Sequence, residues 1–167
     1  MSQLAIDRVL DQFGSSVLET HAKHGDETAI VSRGEIIPIC TFLRDDPALR
    51  MDMLTDLTVV DYLTWPKRRT GERYEVVYHL YSISTRQRVR LKAPVPEDDP
   101  SIDTVTRVWK GADWFEREAW DMFGIRFVGH HDLRRILMYE EFVGHPLRKD
   151  YPKERRQPLV RRDPEAT

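Results

Sequence analysis

The densest group of side chains that could do chemistry lies in residues 114–124. Glu116, Glu118 and Asp121 supply carboxylates and Arg117 a guanidinium group, and they are set among large apolar residues. On a helix, Arg117, Glu118 and Asp121 share the polar side, and Arg117 and Asp121 are near enough to pair. Glu116 projects between apolar neighbours, so we expect it to be partly buried and to need a cationic or hydrogen-bonding partner.

Basic partners for these carboxylates follow downstream. Arg134 and Arg135 precede an aliphatic triplet at 136–138, and a second basic run lies in residues 144–152. Carboxylates that face arginines fit acid–base machinery, an ion-pair lock or a docking surface. The lock is favoured, because structural ion-pair networks are commoner than catalytic pairs and no nucleophile is nearby. We therefore predict that Glu116 is an ion-pair anchor for Arg134 or Arg135 and not a proton donor in catalysis.

Cofactor and metal sites are not predicted in this chain. Its one cysteine, Cys40, lies in an apolar run typical of a buried thiol, whereas an iron–sulfur cluster or a structural zinc normally takes about four ligands, mostly cysteine. No glycine-rich phosphate loop is present. None of the histidines has the i, i+4 spacing of a zinc helix, and the adjacent pair should point to different sides of an extended chain. The histidines are His21, His24, His79, His130, His131 and His145.

Composition places the chain among globular proteins of one ordinary domain. It has 167 residues, of which 40% are hydrophobic and 32% charged, and a formal net charge of −2. The start shows no signal peptide and no segment approaches the ~20 apolar residues of a membrane span, so we expect a cytoplasmic chain that meets membranes only through partners. Residues 144–162 carry seven basic and two acidic side chains among prolines. This indicates a domain at 1–143 and an extended basic C-terminal arm at 144–167.

The remaining sequence predicts the elements that hold these residues. Apolar spacing and glycine stops predict helices at 3–13, 35–45, 101–109 and 111–123, the last stopped by Gly124. Runs rich in β-branched and aromatic residues predict strands at 17–21, 28–31, 53–65, 74–82 and 87–93, the first two and the last two as hairpins. The expected fold class is α+β, a mixed, largely antiparallel sheet of about five strands with packed helices and an extended C-terminal arm.

One family shares the spacing of these residues. The pattern is Glu116-Arg117-Glu118, two residues, Asp121-Met122-Phe123, six residues, His130, three residues, then Arg134-Arg135-Ile136-Leu137. It resembles the signature of the 30-kDa subunit family of respiratory complex I. The run His145-Pro146-Leu147-Arg148-Lys149-Asp150-Tyr151-Pro152 resembles the C-terminal motif of that family. The resemblance covers most of the chain and is sharpest over residues 109–152.

The resemblance implies a non-catalytic core subunit in the peripheral arm of a proton-pumping NADH:quinone oxidoreductase. Such a subunit binds neither FMN nor iron–sulfur clusters, which lie on partner subunits. It packs against a 49-kDa-like subunit that helps form the quinone site, near the iron–sulfur subunits, in a hetero-oligomer on the cytoplasmic face of the inner membrane. The motif residues from Glu116 to Tyr151 are then expected to form ion pairs and contact partners. Related subunits occur in membrane-bound hydrogenases and plastid-type complexes, and the signature does not separate them.

Two other classes of function fit the sequence less well. A nucleic-acid-binding α+β domain could use the arginines of the arm, but the chain is acidic overall with a pI near 6.3 and shows no aromatic–glycine recognition strand. A free-standing enzyme could use Glu116 or Glu118, but the sequence shows no pocket signature to accompany them.

Overall fold

A five-stranded sheet is the centre of the computed structural model, which describes residues 2–65, 70–155 and 157. The strands are β1 Val17–His21, β2 Thr28–Val31, β3 Met53–Asp61, β4 Tyr74–Tyr81 and β5 Arg88–Val95. Their order across the sheet is β1-β2-β5-β4-β3, and β2 with β5 is its parallel pair while the other neighbours are antiparallel. The predicted mixed, largely antiparallel sheet is confirmed.

Alternation along the strands decides which side chains join the core. Tyr74, Val76, Tyr78 and Leu80 of β4 belong to the core, while the intervening side chains lie on the outer face of the sheet. The predicted hairpin of β4 and β5 is confirmed, and β5 runs on through Pro94 and Val95, which pair with the start of β4.

Three of the predicted helices are confirmed and pack on the inner face of the sheet. They are α1 Gln3–Phe13, α2 Ile36–Asp45 and α3 Ala112–Phe123. Each contributes an apolar stripe to the same core, and α3 also contacts β3 at the edge of the sheet. The Trp109 indole donates to the Met51 carbonyl at 3.0 Å, which ties the approach to α3 to the start of β3.

The helix predicted at 101–109 is wrong. Ser101–Asp103 forms strand β6, which pairs in parallel with β7 (Arg126–Val128), and 104–109 follows as turns. The apolar spacing of this stretch suits a helix, but its β-branched residues favour an extended backbone and β7 supplies the hydrogen bonds. The strand predicted at 53–65 likewise ends earlier, at Asp61.

The described part of the C-terminal arm, residues 144–155 and 157, carries no helix or strand. The boundary between a domain at 1–143 and an arm at 144–167 stays a prediction, since most of 156–167 lies outside the described residues. Among the residues described, no helix combines the length and apolar character needed to cross a bilayer.

Candidate functional site

Helix α3 ends where the two predicted basic runs meet it. Gly124 follows its last residue with φ +75°, a left-handed conformation that favours glycine, and its N–H donates to the Trp120 carbonyl. A β-carbon at Gly124 would lie 2.6 Å from the His145 ring and 2.5 Å from the Arg148 guanidinium. The glycine therefore both ends the helix and leaves room for the basic run to pack against it.

Asp121 organises the first basic run. Its side chain is fully buried, and Oδ2 accepts the backbone N–H groups of Ile136, Leu137 and Met138 at 2.9 to 3.0 Å. Its other oxygen accepts the Arg135 guanidinium. Burial alone would raise the pKa of Asp121, but these hydrogen bonds hold it below the usual value. Asp121 lies on the polar side of α3 but is buried there, because the irregular chain that follows β7 covers it.

Arg135 extends this network along the chain. Besides Asp121, its guanidinium donates to the carbonyl oxygens of Phe142 at 2.8 Å and Gly144 at 3.0 Å. It also lies near the rings of Trp120 and Phe142. One buried carboxylate and one arginine thus fix residues 135–144, which have no regular secondary structure of their own.

Arg117 and Arg134 do not have the predicted carboxylate partners. Arg117 donates to the carbonyl oxygens of Arg134 and Arg135, both at 3.3 Å, and its guanidinium lies over the Trp114 ring. Arg134 is exposed and pairs with Asp132. The predicted Arg117–Asp121 pair is wrong, because Asp121 is already filled by four donors. Glu118 lies on the same helix and is exposed.

The predicted pairing of Glu116 with Arg134 or Arg135 is also wrong. Glu116 is completely buried, and its carboxyl group accepts the Thr104 hydroxyl and, at 2.7 Å, the Val105 N–H. Burial raises the pKa of Glu116 to about 7, although those two hydrogen bonds act in the opposite direction. A buried carboxyl group can keep its proton instead of binding an arginine, and this one ties α3 to the turn after β6.

This pKa predicts a pH dependence of stability. Because the pKa of Glu116 is higher in the folded chain than in the unfolded chain, its contribution is complete below about pH 4.5 and is lost as the pH rises through about 7. The total loss of unfolding free energy is about 3 kcal/mol, of which about 2 kcal/mol falls between pH 5.5 and 8.5. Glu116→Gln, which mimics the protonated form, should remove this dependence in urea unfolding at pH 5.5 and 8.5.

The difference between the wild type and Glu116→Gln isolates the contribution of Glu116 to the pH dependence of stability. His79 and His145 have pKa values lowered by burial, so they change stability in the opposite direction over the same pH range. A wild type and a variant that lose equal stability between the two pH values would contradict the prediction.

The second basic run packs beneath α3. His145 Nδ1 lies 3.0 Å from the Asp121 carbonyl oxygen, the Leu147 N–H donates to the Met122 carbonyl, and Arg148 Nε donates to the Phe123 carbonyl. The structure therefore brings both predicted runs to the C-terminal half of α3. The other residues of this run are Pro146, Lys149, Asp150 and Tyr151.

The end of that run binds Arg73 and its partner Asp61, and the sequence pattern does not identify Arg73 as a site residue. Its side chain is 3% exposed and binds Asp61, Glu97 and Asp150, while the Lys149 N–H donates to Asp61 at 2.9 Å. Burial would lower the pKa of Arg73, but the three carboxylates raise it above its usual value. Nothing local distinguishes Arg73 from the other basic residues, because its partners come from β3, the loop after β5 and the arm.

Several large apolar side chains of this region remain exposed. Leu137 is 56% exposed, Val143 54% and Leu147 50%, and Tyr139 is also exposed. We call residues 136–147 the docking segment. Hydrogen bonds to Asp121 and Arg135 hold the backbone of this segment while these side chains remain in solvent.

The prediction that the adjacent histidines point to different sides of the chain is wrong. The rings of His130 and His131 stack with centroids 5.1 Å apart, because a turn after β7 brings both beside the start of α3. Their Nε2 atoms lie 3.0 Å and 3.8 Å from the two oxygens of Asp113. Among the described residues, these three could hold a metal ion together.

A recess of about 320 Å³ lies elsewhere, on the outer face of the sheet. Its lining includes Asp26, His79, Arg88 and Arg90, and none of the predicted site residues. A recess of about 210 Å³ lies beside the second basic run, lined by His145, Arg148 and Tyr151 among others. Glu116 and Asp121, the hydrogen-bonded carboxylates of α3, line neither recess.

Comparisons with known proteins agree on one family. Residues 29–157 match the family described as the respiratory-chain NADH dehydrogenase 30-kDa subunit. The C subunit of the NADH-quinone oxidoreductase of Geotalea uraniireducens is 48% identical over 148 residues, which cover 89% of this chain and 86% of that protein. The corresponding protein of Geobacter sulfurreducens is 47% identical over 148 residues, covering 89% and 88%.

Solved structures share the fold. A trypsin-resistant fragment of Nqo5 superposes with a TM-score of 0.66 at 32% identity, covering 77% of this chain and 99% of that one. A chain of an archaeal membrane-bound sulfane sulfur reductase superposes with a TM-score of 0.71 at 22% identity, covering 91% and 86%. The second likeness concerns the fold alone.

Proposed function

The chain belongs to the family of the 30-kDa subunit of respiratory-chain NADH dehydrogenase, and from that premise we propose that it is a structural core subunit of an NADH:quinone oxidoreductase. Its task is to hold the quinone-reducing module together and not to carry out a chemical step. The family match over residues 29–157 is the observation that carries this proposal.

The contacts of the carboxylates support a role without chemistry. Asp121 is occupied by four donors, and Glu116 is enclosed between α3 and the turn after β6. A general acid or base must reach the proton that it transfers. Neither group lines a described recess in which a substrate could bind, so both serve the fold.

We assign FMN and the iron–sulfur clusters to partner subunits. Cys40 is fully buried, and burial raises the pKa of its thiol well above the usual value, whereas a cluster ligand must be a thiolate. Electrons would thus pass from NADH to quinone through the partners, among them a 49-kDa-like subunit and iron–sulfur subunits, on the cytoplasmic face of the inner membrane. The near 50% identity with NADH-quinone oxidoreductase proteins favours this complex over a membrane-bound hydrogenase, a plastid-type complex or a nucleic-acid-binding role.

We further propose that the docking segment is the surface that contacts a partner. Its backbone is fixed by Asp121 and Arg135 before any partner binds, so little conformational entropy is lost on association. Its exposed leucine and valine side chains would then be buried against the partner.

Leu137→Asp tests this surface. The side chain is exposed, so the isolated chain should keep its thermal unfolding temperature, while the charge placed in an apolar contact should lower the yield of assembled complex severalfold. Leu18→Asp is the matched control, because Leu18 is 58% exposed on β1 at the opposite edge of the sheet from β3. The measurement is the amount of flavin- and cluster-containing protein that copurifies with each variant from native membranes.

The possible outcomes test the proposed function and the proposed contact surface separately. Wild-type chain that isolates no flavin or cluster protein would contradict the proposed function. Normal assembly of Leu137→Asp would leave the function intact and show that another surface makes the contact.

A further inference from the structure

The start of α3 and the turn after β7 form a cluster that the scaffold role does not use. Asp113 is the second residue of α3, and His130 and His131 follow β7 on the other side of a glycine turn. One carboxylate and two imidazole nitrogens lie within 4.8 Å of one another. The cluster shares no residue with the docking segment.

Two atoms of this cluster are buried without a hydrogen-bond partner. They are Nε2 of His130, whose side chain is fully buried, and Oδ1 of Asp113. The two lie 3.0 Å apart but lack the alignment of a hydrogen bond. Buried polar atoms are nearly always paired, so a pair left in this state calls for an explanation. An ion placed between them would serve both atoms at once.

The spacing suits a small transition-metal ion. Zinc binds histidine nitrogen and carboxylate oxygen at about 2.1 Å, so neighbouring ligands of a tetrahedral site stand about 3.4 Å apart. His130 Nε2 lies 3.0 Å from Oδ1 of Asp113 and His131 Nε2 lies 3.8 Å from Oδ2, so the carboxylate faces both nitrogens at about this spacing and could bind the ion through either oxygen. We propose that Asp113, His130 and His131 form a binding site for one divalent transition-metal ion, with water as the fourth ligand.

The exposure of the cluster and the types of its ligand atoms both suit such an ion. The His131 side chain is 69% exposed and Asp113 26%, so an ion can enter from solvent while His130 closes the inner side. Imidazole nitrogen favours zinc, copper, nickel and iron over magnesium or calcium. Three protein ligands with one open position match zinc sites that retain a water molecule.

Binding moves one proton within the His130 ring. The Asp132 N–H donates to His130 Nδ1 at 3.1 Å, so the neutral ring of the metal-free chain carries its proton on Nε2. Coordination through Nε2 requires that proton to reside on Nδ1 instead. The ring keeps one proton in total, and the Asp132 N–H, which would otherwise face the Nδ1–H donor against donor, must turn away from the ring. The nuclear magnetic resonance signal of this amide therefore reports metal binding directly.

The test uses the full chain without a histidine tag. Zn²⁺ titration calorimetry should give one ion per chain, and Co²⁺ should give the visible absorption of a four-coordinate site. Asp113→Asn and His131→Ala should each weaken binding about tenfold or more, since even residues that only support a ligand change affinity by 10–100-fold. His24→Ala is the control, because His24 is exposed outside the cluster and should leave the affinity unchanged.

Both test variants change partly or wholly exposed residues, so they should fold even if a His130 variant does not. Saturable binding that both variants weaken, with a shifted Asp132 amide signal, supports the site. No saturable binding by the wild type, or binding that Asp113→Asn and His131→Ala leave unchanged, overturns it.

Discussion

Replacing Asp121 by asparagine is expected to lower the free energy of unfolding by about 3–5 kcal/mol, the usual effect of breaking a buried ion pair from one side. Asp121 is fully buried and Arg135 only 13% exposed. The asparagine oxygen can accept from the backbone, but its amide group would then face the Arg135 guanidinium, donor against donor. The buried guanidinium loses the charge that neutralises it.

The docking segment should loosen in the same variant. The amide groups of Ile136, Leu137 and Met138 all donate to Asp121, so their hydrogen exchange should quicken more than that of the β4 and β5 amides. Glu118→Gln is the control, because it neutralises an exposed carboxylate on the same helix and should change stability by less than about 1 kcal/mol. Unchanged exchange at residues 136–138 in Asp121→Asn would show that another contact fixes the segment.

Replacing Arg73 by methionine should have an effect of similar size, about 3–5 kcal/mol. Methionine can fill much of the space of the arginine stem, but the Asp61 carboxylate, which is 0% exposed, would keep the neutral N–H donors of Leu63 and Lys149 and lose its guanidinium partner. Glu97 and Asp150 are at least half exposed and can turn to solvent. The lost stability therefore comes mainly from the charge of Asp61.

This variant should also detach the arm. Asp150 and Lys149 reach the body through Arg73 and Asp61, so trypsin should cleave after Lys149 sooner in Arg73→Met than in the wild type. Arg88→Met is the matched control, since Arg88 is exposed and its guanidinium lies over the Tyr81 ring, a contact worth about 1 kcal/mol or less. Equal cleavage and equal stability in the two variants would contradict the proposed role of Arg73.

Local patterns predict the sheet and three of the helices because their periodicities are set by backbone geometry. The apolar stripe of α3 and the stop at Gly124 place that helix within one residue of its observed bounds. The same reasoning fails at 101–109, where the stabilising partner is β7, on the far side of α3 in sequence. A strand formed by three residues has too short a pattern to compete with an apolar spacing that suits a helix.

The candidate site shows a second limit of sequence reasoning. The helical wheel treats one side of α3 as solvent, but irregular chain within residues 132–148 covers the part of that side that carries Asp121, which is therefore buried, while Glu118 stays exposed. Glu116 was predicted to bind an arginine because buried carboxylates are expensive when ionised. Burial instead favours the protonated form, and the groups that surround Glu116, among them the Thr104 hydroxyl and the Val105 amide, lie in a turn that the sequence pattern does not reveal.

The parallel pairing of β2 with β5 determines how late in folding the sheet can be completed. Thr28 pairs with Arg90 across the middle of the sheet, although α2, β3 and β4 lie between them in sequence. Contacts between distant residues form slowly, because a long loop must close first. A β1–β2 hairpin formed before β5 is available would have an open edge and would leave Ala29, Ile30 and Val31 unburied.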